Sequence, residues 1–207
     1  MPSTLKFKSP KGALEWVTIS GEGKENLSGK LQYVANVVIS EDDPVIAKIE
    51  EFWKDNKPKG FKKPAKSNGV YPHKTRSEDS DEYEEDGDYY LAFKTGTTYP
   101  DGSTKKVQVY NAKAAKVELP ESTSIGNGSI GIISGTMGIY TTKSKAGAII
   151  DAGVTLYLDA IQLLRLEEFT QDAGFEADED GDWTGDEGWE GAEESTTTTP
   201  AKGSPRL

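Results

Sequence analysis

The apolar positions of residues 14–20 (LEWVTIS) and 30–40 (KLQYVANVVIS) are held largely by β-branched and aromatic side chains. That pattern predicts two half-buried strands, and the Gly/Asn/Ser-rich residues 21–29 between them read as a hairpin loop. A helical period then opens. Val45, Ile46, Ile49, Phe52 and Trp53 fall at i, i+1, i+4, i+7 and i+8 behind Asp43-Pro44, a capping aspartate with proline at the first helical position. One amphipathic helix is predicted there.

Across residues 56–88 the apolar period disappears, and Pro, Gly, Lys and then Glu/Asp dominate. This stretch reads as a long excursion from the core. Strand patterning resumes over residues 89–95 (YYLAFKT) and 105–110 (KKVQVY), joined by a connection holding the turn sequence Tyr99-Pro100-Asp101-Gly102. Residues 129–142 (SIGIISGTMGIYTT) form another strand candidate. Residues 153–166 (GVTLYLDAIQLLRL) have the Leu and Ala content of a helix, yet Val154, Leu156, Leu158 and Ala160 alternate, which favours a strand. Gly131, Gly135 and Gly138 weaken a flat sheet but suit the bends of a closed barrel. The expected fold is mainly β: an OB-fold-like (oligonucleotide-binding) small barrel of roughly six strands with one helix and a long charged loop.

Charge divides the chain further. Residues 167–207 hold 13 acids against Lys202 and Arg206, the whole net charge of −11, and residues 1–166 balance 22 acids with 22 bases. Two domains of behaviour follow: a body at 1–166 and a flexible acidic tail at 167–207. Within the body, residues 78–88 carry 8 acids and no base, whereas residues 54–76 carry eight bases against Asp55 alone. The basic run is interleaved with Phe61, Tyr71 and His73, so Lys59, Phe61, Lys62, Lys63 and Tyr71 combine cations for phosphates with flat rings for unpaired bases. Alternation adds a second patch. With Leu91 and Phe93 inward, Tyr90 and Lys94 face out, and with Val107 and Val109 inward, Lys106 and Tyr110 face out beside Gln108. Tyr140, Lys143 and Lys145 extend that surface.

Other chemistries are excluded by composition. There is no cysteine and the only histidine is His73, so disulfides, thiolate sites, a serine triad and a multi-histidine metal site cannot be built. No phosphate loop, dinucleotide fingerprint or nucleophile elbow occurs. The protein is expected to be no enzyme and to need no cofactor or metal. Glu176, Asp178, Asp180, Gly181 and Glu187 fall at EF-hand positions 1, 3, 5, 6 and 12. Glutamate at position 1 and a Gly/Thr/Pro-rich segment in place of the exiting helix mark that as a chance spacing in an acidic tract. The N-terminus lacks the apolar region of a signal peptide and no apolar stretch is long enough to span a bilayer, so a soluble, cytoplasmic protein is expected.

Several blocks resemble the single-stranded DNA-binding proteins of tailed bacteriophages: Gly69-Val70-Tyr71-Pro72 leading through an acidic loop into Tyr89-Tyr90-Leu91-Ala92-Phe93-Lys94, then Gly128-Ser129-Ile130-Gly131 and Lys145-Ala146-Gly147. The residues 153–166 are similar to the family's closing strand, and in order the blocks cover roughly residues 10 to 207. The resemblance implies a sequence-nonspecific protein that coats and protects single-stranded DNA in phage replication, recombination and repair in the cytoplasm of the infected host. It also implies a tail that competes for the DNA groove and recruits phage DNA polymerase and helicase/primase. Such tails commonly finish on acids and an aromatic, whereas this chain ends Lys202-Gly203-Ser204-Pro205-Arg206-Leu207. The partner-binding element is therefore placed at Asp178, Asp180, Asp182, Trp183, Asp186, Glu187 and Trp189. Monomer and homodimer are both compatible with this reading, and the rival function is a protein-interaction or DNA-mimic module acting through the tail.

Overall fold

The computed structural model describes residues 4–26, 28–76, 82–120 and 123–167. Apart from Glu167, the acidic tail, with its EF-hand-like spacing and its proposed partner-binding residues, lies outside the described residues. Among those described, the elements run β1 (Thr4–Lys8), β2 (Gly12–Thr18), β3 (Lys24–Glu25), β4 (Leu31–Ile39), α1 (Pro44–Asn56), β5 (Val70–Arg76), β6 (Tyr83–Gly96), β7 (Gln108–Tyr110), β8 (Lys116–Val117), β9 (Ser129–Lys143) and β10 (Ile149–Arg165).

Five strands close a barrel in the order β2-β4-β6-β10-β9 and back to β2. Four of the junctions are antiparallel. The fifth, β6 with β10, is parallel and short, with Leu156 opposite Phe93 and Tyr157 opposite Lys94. This is an OB-fold-like small barrel. Burial alternates in β4, where Tyr33, Ala35, Val37 and Ile39 are buried and the residues between them are not. In β10 Val154, Leu156 and Leu158 are buried as expected, but Gly153 before them and Thr155 among them are buried too, and of residues 153–158 only Tyr157 is exposed. A bulge between Leu158 and Ala160 then shifts the phase, so that Ile161 and Leu163 point inward instead.

The helix forms where its period and cap predict. The Asp43 carboxylate accepts the Val45 N–H at 2.9 Å, Pro44 opens the helix, and Val45, Ile49 and Phe52 bury its apolar face. Gly135 is needed for close packing: a Cβ there would stand 2.5 Å from the Tyr157 carbonyl oxygen and 2.6 Å from the Phe93 ring. Phe93 itself stacks on Phe7 of β1, with ring centroids 5.5 Å apart.

Two expectations are corrected. Residues 56–88 are not wholly an excursion, because β5 and the first half of β6 pair there as a two-stranded arm, with Lys74 opposite Glu85 and an ion pair of 3.7 Å between them. Basic and acidic runs that look unstructured apart are thus cross-strand partners. Second, the segment at 105–110 yields only the short strand β7, which does not neighbour β6. It runs parallel to the distal part of β10, placing Gln108, Val109 and Tyr110 opposite Ala160, Ile161 and Gln162. One edge of β10 is therefore covered piecewise. Lys66 N–H donates to Ala152 O at 2.9 Å and Val154 N–H to Ser67 O at 2.8 Å, then β6 takes over, then β7.

Candidate nucleic-acid interface

Along the β6–β10 seam runs an open groove of about 1160 Å³. Its floor is set by strand alternation: Ala92 and Lys94 turn outward from β6, and Tyr157 turns outward from β10 between buried Leu156 and Leu158. One wall is the β3–β4 hairpin with its turn, including Lys30 and Gln32, and the other carries Ser67, Tyr71 and Tyr140. Glycines make the wall and floor possible. A Cβ at Gly138 would lie 2.8 Å from the Tyr157 ring, and one at Gly153 would lie 2.8 Å from the Tyr140 ring and 2.3 Å from the Ser67 carbonyl oxygen.

The rings on the wall are organised. Tyr71 and Tyr90 face each other across β5 and β6 and stack with centroids 5.5 Å apart and planes inclined by 27°. The Tyr71 and Ser67 hydroxyls share a hydrogen bond of 2.6 Å. Burial, the nearby Tyr71 phenol and the Asp151 carboxylate raise the pKa of Tyr140 against the opposing charge of Lys66. Burial, Tyr71 and Glu15 likewise raise that of Tyr90. Both hydroxyls therefore stay protonated and neutral at physiological pH. Lys66 donates to Asp151 at 3.0 Å, and that hydrogen bond and charge raise its pKa, keeping it a cation beside Tyr140. Lys63 donates to the Ile150 carbonyl at 3.2 Å, which anchors the basic loop to the start of β10.

The structure thus brings Tyr71, Lys94 and Tyr140 to one groove, with Tyr90 stacked on Tyr71 but not lining it, and Lys63 tied to the adjoining β9–β10 hairpin. Exposed Lys143 and Lys145 sit on that same hairpin, at its strand end and turn. Lys59 and Lys62 are exposed on the loop after α1. Phe61 in that loop packs edge-on against Trp53 of the helix at 6.0 Å. Lys106 lines a different groove, of about 700 Å³, that shares no residue with the first and mixes aliphatic side chains such as Val17, Ile19, Val107 and Leu119 with polar ones such as Lys105, Gln108 and Lys116. Half-buried Tyr110 belongs with β7, away from Tyr90. Tyr157, 43% exposed, is absent from the sequence-based set, although the alternation that buries Leu156 and Leu158 already points it outward.

His73 is the second organised cluster. It is only 7% exposed, its Nδ1 lies 2.7 Å from an Asp86 carboxylate oxygen, and its Nε2 lies 3.2 Å from Glu15 without hydrogen-bond alignment. Burial lowers its pKa, but the hydrogen bond to Asp86 and the two carboxylate charges outweigh burial and raise it above 6.5. A raised histidine pKa means that the protonated ring stabilises the fold fully below about pH 6.5 and that this contribution is lost as pH rises through the folded-state pKa. Since Asp86 is on the arm's half of β6 and Glu15 on β2, the first ion pair ties the two strands of the arm together and the second fastens the arm to the barrel. A ¹H NMR titration of this single histidine is expected to give a midpoint above 6.5, lowered by Glu15→Gln or Asp86→Asn. A midpoint below 6.5 in the unmodified protein would contradict the clamp.

An OB-fold-like barrel with a groove of tyrosines and lysines over its parallel seam is the class of structure that the coordinates define. The chain shares this fold with single-stranded DNA-binding proteins of bacteriophages. It is similar to gp2.5, a single-stranded DNA-binding protein encoded by bacteriophage T7, with a TM-score of 0.52 and 20% identity over 86% of this chain and 98% of that one. It is also similar to the single-stranded DNA-binding protein of bacteriophage Enc34 in complex with single-stranded DNA, with a TM-score of 0.50 and 15% identity over 79% of this chain and 88% of that one. No protein-family model and no curated protein sequence matches the chain.

Proposed function

We propose that this protein is a non-enzymatic, sequence-tolerant single-stranded DNA-binding protein of a bacteriophage. The observation that carries the reading is the seam groove, in which Tyr71, Tyr140 and Tyr157 offer ring faces beside Lys94 and Lys30. An unpaired base needs a flat apolar surface, and its phosphates need cations that release condensed counterions on contact. The shared fold with two phage proteins that bear this function supports the reading. Among the described residues no helix is long and apolar enough to cross a membrane, and the proposed place of action is the cytoplasm of the infected host.

In this reading the protein protects exposed strands during replication, recombination and repair. The acidic tail competes with DNA for the basic groove and recruits polymerase and helicase/primase. A tethered random coil of about forty residues would span roughly 35 Å root-mean-square and hold its charge at an effective concentration on the order of millimolar, which makes such competition physically feasible.

Fluorescence anisotropy with mixed-sequence oligonucleotides, in the full chain and in a form lacking residues 168–207, tests both parts. Affinity is expected to fall steeply with salt in both forms, and to be higher in the truncated form, most of all at low salt where screening is weakest. Salt-independent binding, or strong selectivity for one duplex site, would contradict the function. Equal or weaker binding by the truncated form would contradict the competition and favour the DNA-mimic alternative.

A further inference from the structure

Trp16 is 54% exposed and holds a left-handed backbone conformation, with φ of 51°. A bulky side chain adopts that conformation only where its surroundings enforce it. Two features do so. The β2–β4 register slips between Glu15 and Thr18, and the Asn127 side-chain carbonyl accepts the Trp16 N–H at 2.9 Å. The outcome is an indole lifted off the barrel with the Lys24 ammonium 5.5 Å from its ring centroid. The same unit recurs in the connection after β6, where Tyr99, 46% exposed, has Lys105 5.4 Å from its centroid.

Both units adjoin the wall of the seam groove. Lys24 pairs with Gln32, which lines the groove, and Gln32 pairs in turn with Gly96. The hairpin presses against the loop that bears Tyr99: a Cβ at Gly23 would lie 2.7 Å from Thr97 Cγ2, and Thr97 accepts the Lys105 N–H at 2.8 Å. The Lys105 ammonium also donates to the hydroxyl of buried Thr95 at 2.6 Å, which fixes that cation beside the Tyr99 ring.

We propose that Trp16 with Lys24 and Tyr99 with Lys105 form an outer stacking station for single-stranded nucleic acid, contiguous with the seam groove across the β3–β4 hairpin. The proposal rests on the single-stranded DNA reading of that groove and extends its path. Each unit pairs a flat ring with an adjacent cation, which matches a nucleotide's base and its neighbouring phosphate. A strand long enough to leave the groove meets these rings, and a short one does not.

Oligothymidylates from about 4 to about 16 nucleotides, titrated into the full-length protein and its Trp16→Ala, Tyr99→Ala and Lys24→Ala variants, test the assignment. For the longest strands Trp16→Ala is expected to weaken binding about 5- to 150-fold, while the shortest bind as before. Trp16→Phe, which keeps a ring, is expected to restore most of the loss. An equal loss at every length, no loss at any length, or a phenylalanine variant as weak as the alanine one would each overturn the station. Failure of the unmodified protein to bind any strand would instead overturn the reading of the groove.

Discussion

Tyr157→Ala is expected to weaken binding to single-stranded oligonucleotides by about 1–3 kcal/mol, a loss of about 5- to 150-fold, with the melting temperature little changed. The ring stands on the groove floor opposite Lys94, 43% exposed, over the open space left by Gly138. It contributes no buried core surface, so its removal costs the stacked base and little else. The effect is separable from charge. Lys94→Ala is expected to lower the slope of log affinity against log salt by about one unit, whereas Tyr157→Ala leaves that slope unchanged because no phosphate contact is lost. Anisotropy at several salt concentrations, with thermal melts of each variant, reads both effects. Unchanged affinity in a folded Tyr157→Ala protein would remove this ring from the interface.

Gly135→Ala acts on the barrel instead. One added methyl group meets the Tyr157 carbonyl oxygen at 2.5 Å and the Phe93 ring at 2.6 Å. The carbonyl belongs to a paired strand and Phe93 is locked against Phe7. Neither gives way without disturbing β10 or the core, so overpacking is expected to cost about 1–3 kcal/mol or more. For a chain of this size that is a drop of roughly 2–4 °C per kcal/mol in melting temperature. Gly147→Ala, where no atom lies within 4 Å, is the comparison that separates lost space from the cost of left-handed backbone, since Gly147 has φ of 83°. A Gly135→Ala protein as stable as the parent would mean that the seam shifts freely.

What the sequence made legible was whatever depends on neighbours along the chain. β-branched and aromatic content located β4, alternation located the inner half of β6 and β10, and a capping aspartate with proline located α1. β5 was hidden because six of its seven residues are not buried, so burial left no period to read. Its partner is an acidic run, and the pairing shows only when both strands are laid side by side. The misplacement of Tyr110 has a similar cause. A short connection suggests an adjacent antiparallel strand, whereas β7 crosses to pair in parallel with residues some fifty positions away in sequence. Parallel contacts of that kind impose no turn chemistry and no local pattern. The groove shares this property, since its floor joins Lys94 to Tyr157 through a junction of two residue pairs.

The patchwork edge of β10 also sets a timetable. β10 is the final strand of the barrel, and it alone joins β9 to β6. During synthesis at about 5–20 residues per second, the interval between completing Gly96 and completing Arg165 is roughly 3–14 s. Throughout that time β6 lacks its closing partner at Phe93 and Lys94. The charged arm of β5 and β6, with its ion pairs already available, is formed from residues made before that interval begins. Because β5 pairs along β6 from Val70 opposite Leu91 to Arg76 opposite Tyr83, it already occupies most of the edge that β10 later completes, and an occupied, charged edge is less open to pairing with another chain.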